Sequence, residues 1–191
     1  MEQEKKKVDR RVLYTKMFLR ESLLELMKEK PIGKITPTEL CRRAEINRNT
    51  FYTHYDSPEA LLGSIEDELY GQVQRSLGRS LKKNDVSALL TEICQVITDN
   101  GDLCRILFSD NGDKHFLERV IHLAHDETLL AWKAAGMRGD DELLEALYTF
   151  SVSGGIAIIQ HWVQSGMPES PQEVAAFIGK ASYFGLQAFL Q

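Results

Sequence analysis

Residues 35–60, ITPTELCRRAEINRNTFYTHYDSPEA, read as two short helices joined by a tight turn and followed by the start of a third. Thr36 precedes Pro37, and Glu39 stands three residues after Thr36. That is a capping box with proline at the first helical position, so a helix begins here. Leu40 and Ala44 give this helix one buried face, and Ala44-Glu45-Ile46 forms the turn. Asn47 caps the next helix, whose first turn shows Arg48, Asn49 and Thr50 to solvent while Phe51 and Tyr55, four apart, face inward. Ser57-Pro58-Glu59 opens the third helix by the same logic. An exposed opening turn of Arg, Asn and Thr suits the edges of bases in a major groove.

The run NRNTFYTHYDSPEAL, residues 47–61, resembles the helix-turn-helix signature of the tetracycline-repressor (TetR) family of transcriptional regulators. The likeness covers about residues 9–62, with Thr50, Phe51, Tyr52, His54 and Tyr55 in order. Two positions depart from the family. Glu45 stands where the family often has glycine, at a turn where a positive φ costs a non-glycine residue about 1 kcal/mol. Pro58 stands where a lysine often reaches a phosphate. The resemblance implies a double-stranded DNA operator as partner. Thr36, Thr50, Tyr52 and His54 match positions that commonly touch the DNA backbone, with Thr38 and Thr53 assisting. Arg48 is the foremost candidate for reading a guanine, with Asn49 second and Asn47 at the cap.

The charge is divided along the chain. The 191 residues carry a formal net charge of −5, which on its face argues against a nucleic-acid binder. Residues 1–56, however, hold thirteen Lys and Arg against nine Asp and Glu, whereas residues 57–191 hold ten against nineteen. The basic part is the part with the helix-turn-helix, and the expected domains are residues 1–56 (arm and DNA-binding domain) and 57–191 (regulatory and dimerisation domain). Lys5, Lys6 and Lys7 read equally as an arm along the phosphates or as a solubilising tail. Cys41, Cys94 and Cys104 are odd in number and lack a C-x-x-C spacing, which fits buried reduced thiols. No apolar run is expected to reach membrane-spanning length, and the charged start is not that of a signal peptide; the expectation is a cytoplasmic protein with no membrane association.

The expected fold is all-α, a three-helix DNA-binding domain plus a C-terminal helical bundle. A first helix over 9–29 places Val12, Leu13, Met17, Leu24, Leu26 and Met27 at helical spacing. Leu61, Ile65, Leu69, Val73, Leu77 and Leu81 recur every fourth residue in a long helix. Helices are expected over 86–100, 101–108 and 113–135. The segment from Leu143 to Val163 is apolar nearly all round and must be covered on several sides. Gly154 and Gly155 in its middle cost about 1 kcal/mol each in helix propensity, which close packing would offset. A last helix spans 172–190.

The stretch FSVSGGIAIIQHWVQSGMPESPQEVA, residues 150–175, is similar to the C-terminal domain of a TetR subfamily known mainly from Firmicutes. The similarity implies a homodimer built on the last two helices, with the central helices as the sensing body. Phe150, Gly154, Gly155, Ile158, Trp162, Phe177 and Phe184 are the candidate interface residues. Cys94, Phe116, His125 and Trp132 are candidates for a small-molecule effector site, since such sites are largely apolar with a few placed polar groups. His115, His122, His125 and Asp126 share one broad face without the spacing of a strong metal motif, and no cofactor or metal is expected. No Gly-rich phosphate loop or nucleophile elbow is present, so an enzyme is not expected. The expected function is a homodimeric repressor released by an effector. The alternatives are control by a protein partner, activation in place of repression, and a metal-dependent enzyme using the histidine helix.

Overall fold

The computed structural model describes residues 10–81, 86–123, 125–134, 136–137, 139–187 and 189. It is all-helical, with no strand among the described residues. The lysines at 5–7 lie outside them. The helices are α1 (Arg10–Glu29), α2 (Pro37–Arg43), α3 (Arg48–Tyr52), α4 (Pro58–Leu81), α5 (Val86–Asp99), α6 (Gly101–Leu107), α7 (Lys114–His122), α8 (His125–Ala134), α9 (Asp141–Gln164) and α10 (Pro171–Gln187).

The chain forms two compact units. The first runs to Asp67 and includes Asp110–Gly112, so the boundary expected after residue 56 falls instead inside α4. The reason is that Leu61, Leu62 and Ile65 are buried, and the opening turns of α4 complete the first unit's core. That core is built on Leu19, Leu23, Met27, Leu40, Phe51 and Leu61. The inward face of α1 therefore differs from the expected one: Leu13 and Met17 are exposed, and burial begins at Leu19. The pairs tying α1 and the residue after it to α2, Glu29–Arg43 at 3.3 Å and Lys30–Glu39 at 2.7 Å, lie at the helix's C-terminal end. Asn111 adds a side-chain N–H to the Met27 carbonyl at 3.2 Å.

Local chemistry explains the short helices. Thr36 has extended backbone and its Oγ1 accepts the Glu39 N–H at 3.2 Å, with Pro37 in the first turn. After α2 the Ile46 N–H bonds to the Cys41 carbonyl and the Glu45 N–H to that of Arg42. This is a Schellman ending, which places its C′ residue in the left-handed region. That residue is Glu45, at φ 54°. The site where the family often has glycine is thus a site where glycine would relieve strain.

In the second unit α5 packs extensively against α10, and α9 packs against α6, α8 and α10. Leu69, Val73 and Leu77 of α4 are buried as their four-residue spacing predicts; the side chain of Leu81 lies outside the described set. The single helix expected over 113–135 is two, α7 and α8. The ladder ends where the Leu123 N–H bonds back three residues to Val120 instead of four. α9 corrects a further expectation: by length and composition it is apolar enough to cross a membrane. Its acidic first turn, Asp141 and Glu142 behind the Asp140 cap, and its packing against α6, α8 and α10 make it a helix of the second unit's bundle. The turn from α9 to α10 repeats the Schellman geometry, with the Met167 N–H on the Trp162 carbonyl at 2.8 Å and Gly166 at φ 92°.

Candidate nucleic-acid interface

α3 is only five residues long, so its shape depends on its ends. Asn47 Oδ1 accepts the Asn49 N–H at 2.8 Å, closing the first turn, and Thr53 Oγ1 donates to the Asn49 carbonyl at 2.8 Å, closing the last. Phe51 anchors the middle. It is fully buried and meets Tyr52 edge-on at 5.3 Å and Tyr55 at 6.2 Å. With that side fixed, Asn47, Arg48, Asn49, Tyr52 and Thr53 are turned to solvent, as are Thr36 and Thr38 around the start of α2. Thr50 and His54 are half-buried. All nine residues expected to meet DNA belong to one unit, and seven of them are exposed.

Arg48 and Tyr52 form a pair that the sequence reading treated as independent. An Arg48 guanidinium N–H donates to the Tyr52 hydroxyl at 3.3 Å, and the guanidinium carbon lies 5.8 Å from the ring centroid. The hydrogen bond to Tyr52 raises the Arg48 pKa further, so the group is a permanent cation. The i, i+4 spacing is the signal that could have revealed this contact.

The residues proposed for an effector site do not meet around one cavity. Cys94 and Phe116 are packed in the core at 0% and 3% exposure. Burial pushes the Cys94 thiol up to about 11 and that of Cys104 to about 12, which makes both poor nucleophiles. His125 and Trp132 instead flank Tyr148, with ring centroids 4.8 and 6.3 Å away, and the Tyr148 hydroxyl donates to the Ile121 carbonyl. A recess of about 470 Å³, open to solvent, is lined by Tyr70 of α4 and by His115, Glu118, Arg119 and His122 of α7. Arg119 lies over the Tyr70 ring at 4.8 Å. The helical spacing of the histidines on α7 was visible in sequence, but the apposition of α4 was not. Among the described residues no group of three His, Cys, Asp or Glu side chains is placed to hold a metal.

His125 has a different role. Its Nδ1 lies 2.8 Å from Asp126 Oδ1 and its Nε2 lies 2.8 Å from Glu145 Oε2, joining α8 to α9. Only the doubly protonated ring donates at both atoms. Glu145 first and Asp126 second raise its pKa. A histidine with a raised folded pKa contributes stability that is complete below its unfolded value, about 6.5, and is lost as pH rises through the folded value. The melting temperature is accordingly expected to fall above that pH more steeply for the wild type than for His125→Gln. Identical pH slopes would show that the bridge does not titrate with folding.

Of the candidate interface residues, Phe150, Phe177 and Phe184 are exposed at 73%, 60% and 67%. Gly154 is also exposed and Ile158 is half-buried. Gly155 points the other way, since a Cβ there would touch Ile178 Cγ2 of α10 at 3.4 Å. Trp162 is an interior residue, 3% exposed, with its indole N–H on the Glu169 carbonyl at 3.0 Å. Its ring closes the α9–α10 turn within the protomer and so offers no surface to a partner.

Residues 84–182 match the family model described as a transcriptional regulator C-terminal region. A curated relative, the uncharacterized HTH-type transcriptional regulator YxbF of Bacillus subtilis (strain 168), is 41% identical over 64 residues, 33% of this chain. The match spans 17% of that relative's length. Among solved structures, a TetR transcriptional regulator from Streptococcus agalactiae 2603V superposes with a TM-score of 0.66 at 21% identity, covering 96% of this chain and 97% of its own. The dihydroxyacetone kinase operon activator DhaS gives 0.61 at 16% identity, covering 93% and 98%. These two likenesses concern the fold. With more than half of the chain matched by the family model, this protein belongs to the TetR family of transcriptional regulators.

Proposed function

We propose that the protein is a homodimeric repressor, acting in the cytoplasm on a palindromic operator. Each protomer would lay α3 in the major groove of one half-site, with Arg48 on a guanine and Asn49 beside it. Thr36, Thr38, Thr50, Thr53 and His54 would hold register through the backbone, and Asn47 would keep the helix start in place. The observation that carries this reading is the exposed Arg48–Asn49 turn fixed from behind by the fully buried Phe51. Dimerisation is supported by the exposed phenylalanines of α9 and α10, large apolar side chains that a partner surface would cover. The α4–α7 recess, lined by Tyr70, His115, Glu118, Arg119 and His122, would take a small-molecule effector. Its binding would weaken DNA affinity by favouring a dimer whose α3 helices no longer match the groove spacing.

Arg48→Ala tests the assignment. Affinity for the cognate site is expected to fall by about 1–3 kcal/mol, with relaxed preference at one base pair and little change on random duplex. Equal losses on cognate and random DNA would show that Arg48 meets a phosphate and reads no base.

A further inference from the structure

Resting on that assignment of α3, we infer that Tyr52 is a positioning residue for sequence readout, holding the Arg48 guanidinium in its reading direction without itself touching a base.

An arginine at the exposed start of a five-residue helix has a long, freely rotating side chain. Ordering it on binding opposes affinity, and a partner that orders it beforehand removes that opposition. Tyr52 is built for this. Its ring packs edge-on, at an interplanar angle of 70°, against Phe51, which the core immobilises. The ring therefore has little freedom although 45% of the residue is exposed. Its hydroxyl oxygen accepts from the Arg48 N–H at 3.3 Å, and its face lies beneath the same guanidinium. One turn of helix separates the two Cα atoms, so the side chains run in parallel along the solvent-facing side of α3. The chain of support runs from Phe51 to the Tyr52 ring to the Arg48 fork. The guanidinium edge not used by Tyr52 retains N–H donors for a guanine O6 and N7. A phosphate-only role for the hydroxyl, which the family resemblance implies, leaves this contact without a purpose.

The two roles separate in a double-mutant cycle with Tyr52→Phe and Arg48→Ala in the full chain. Binding is measured to a selected operator duplex and to a random duplex of equal length, with melting temperature as a folding control. Tyr52→Phe keeps the ring and removes only the hydroxyl, acceptor for Arg48 and donor for any phosphate. Its expected effect is a roughly 3- to 10-fold loss on the operator, relaxed preference at the base pair that Arg48 reads, and no further loss in the Arg48→Ala background. Equal losses on both duplexes that persist after Arg48→Ala would overturn the inference and make the hydroxyl a backbone contact. If Arg48→Ala abolishes discrimination while Tyr52→Phe leaves it intact, positioning alone fails and the base-reading assignment stands. If Arg48→Ala leaves discrimination intact, the assignment of α3 fails and the inference falls with it.

Discussion

Phe51→Ala is expected to cost the first unit about 3–5 kcal/mol, the range for truncating a buried phenylalanine. The ring is fully buried between α2, α3 and the residues that follow, and both Tyr52 and Tyr55 rest on it. α3 is too short to persist without that anchor, because an isolated helix of five residues does not offset its nucleation cost. DNA binding should be lost on every sequence. The helical signal of α5–α10 should survive, since the second unit has its own core around Met137, Leu144, Leu147 and Leu186. A circular-dichroism melt of the variant is expected to show an early transition of small amplitude. A single cooperative transition for the whole chain, displaced as one, would mean that the units do not melt separately.

The second large effect concerns association. Phe150 and Phe184 are mostly exposed in the protomer, so Asp at either position should leave the protomer folded. Burying a phenylalanine is worth about 1.5–3 kcal/mol, and in a two-fold dimer each substitution counts twice. Phe150→Asp should therefore raise the dimer dissociation constant by at least about a hundredfold, before any charge burial is added. Sedimentation at micromolar concentration is expected to show dimers for the wild type and monomers for the variant. A wild type that sediments as a monomer would remove the dimer from the account. Gly155→Leu also bears on association, but only indirectly, since Gly155 faces Ile178 of α10 in the same protomer. Gly154, where a Cβ meets open space, is the glycine on the outer face.

The recognition unit was legible because its signals are local. Thr36, Asn47 and Pro37 act within one turn of helix, and each does what its chemistry requires. Even the positive φ at Glu45 was foreshadowed, because the family often has glycine at that position. The second unit was less legible because its decisive facts are not local. A helix apolar nearly all round does not say which side meets its own protomer, so Phe150 and Trp162 looked alike in sequence yet lie outside and inside. The end of α7, where the Leu123 N–H bonds back to Val120, carries no proline or glycine to announce it. Cys94, Phe116, His125 and Trp132 shared only the property of being polar or aromatic near apolar neighbours. The packing of α5 and α8 sent them to different places, and the recess formed where α4 meets α7.

Sequence-specific recognition by α3 is the central claim, and selection from a pool of random duplexes with the full-length protein tests it most directly. The account predicts enrichment of an inverted repeat with guanine-containing half-sites about one or two helical turns apart. Arg48→Ala should erase the preference at a single symmetric pair of positions, with specific affinity about a thousandfold or more above that for random DNA in the wild type. A pool that stays random through repeated rounds would contradict the account, as would enrichment of a motif that Arg48→Ala leaves unchanged.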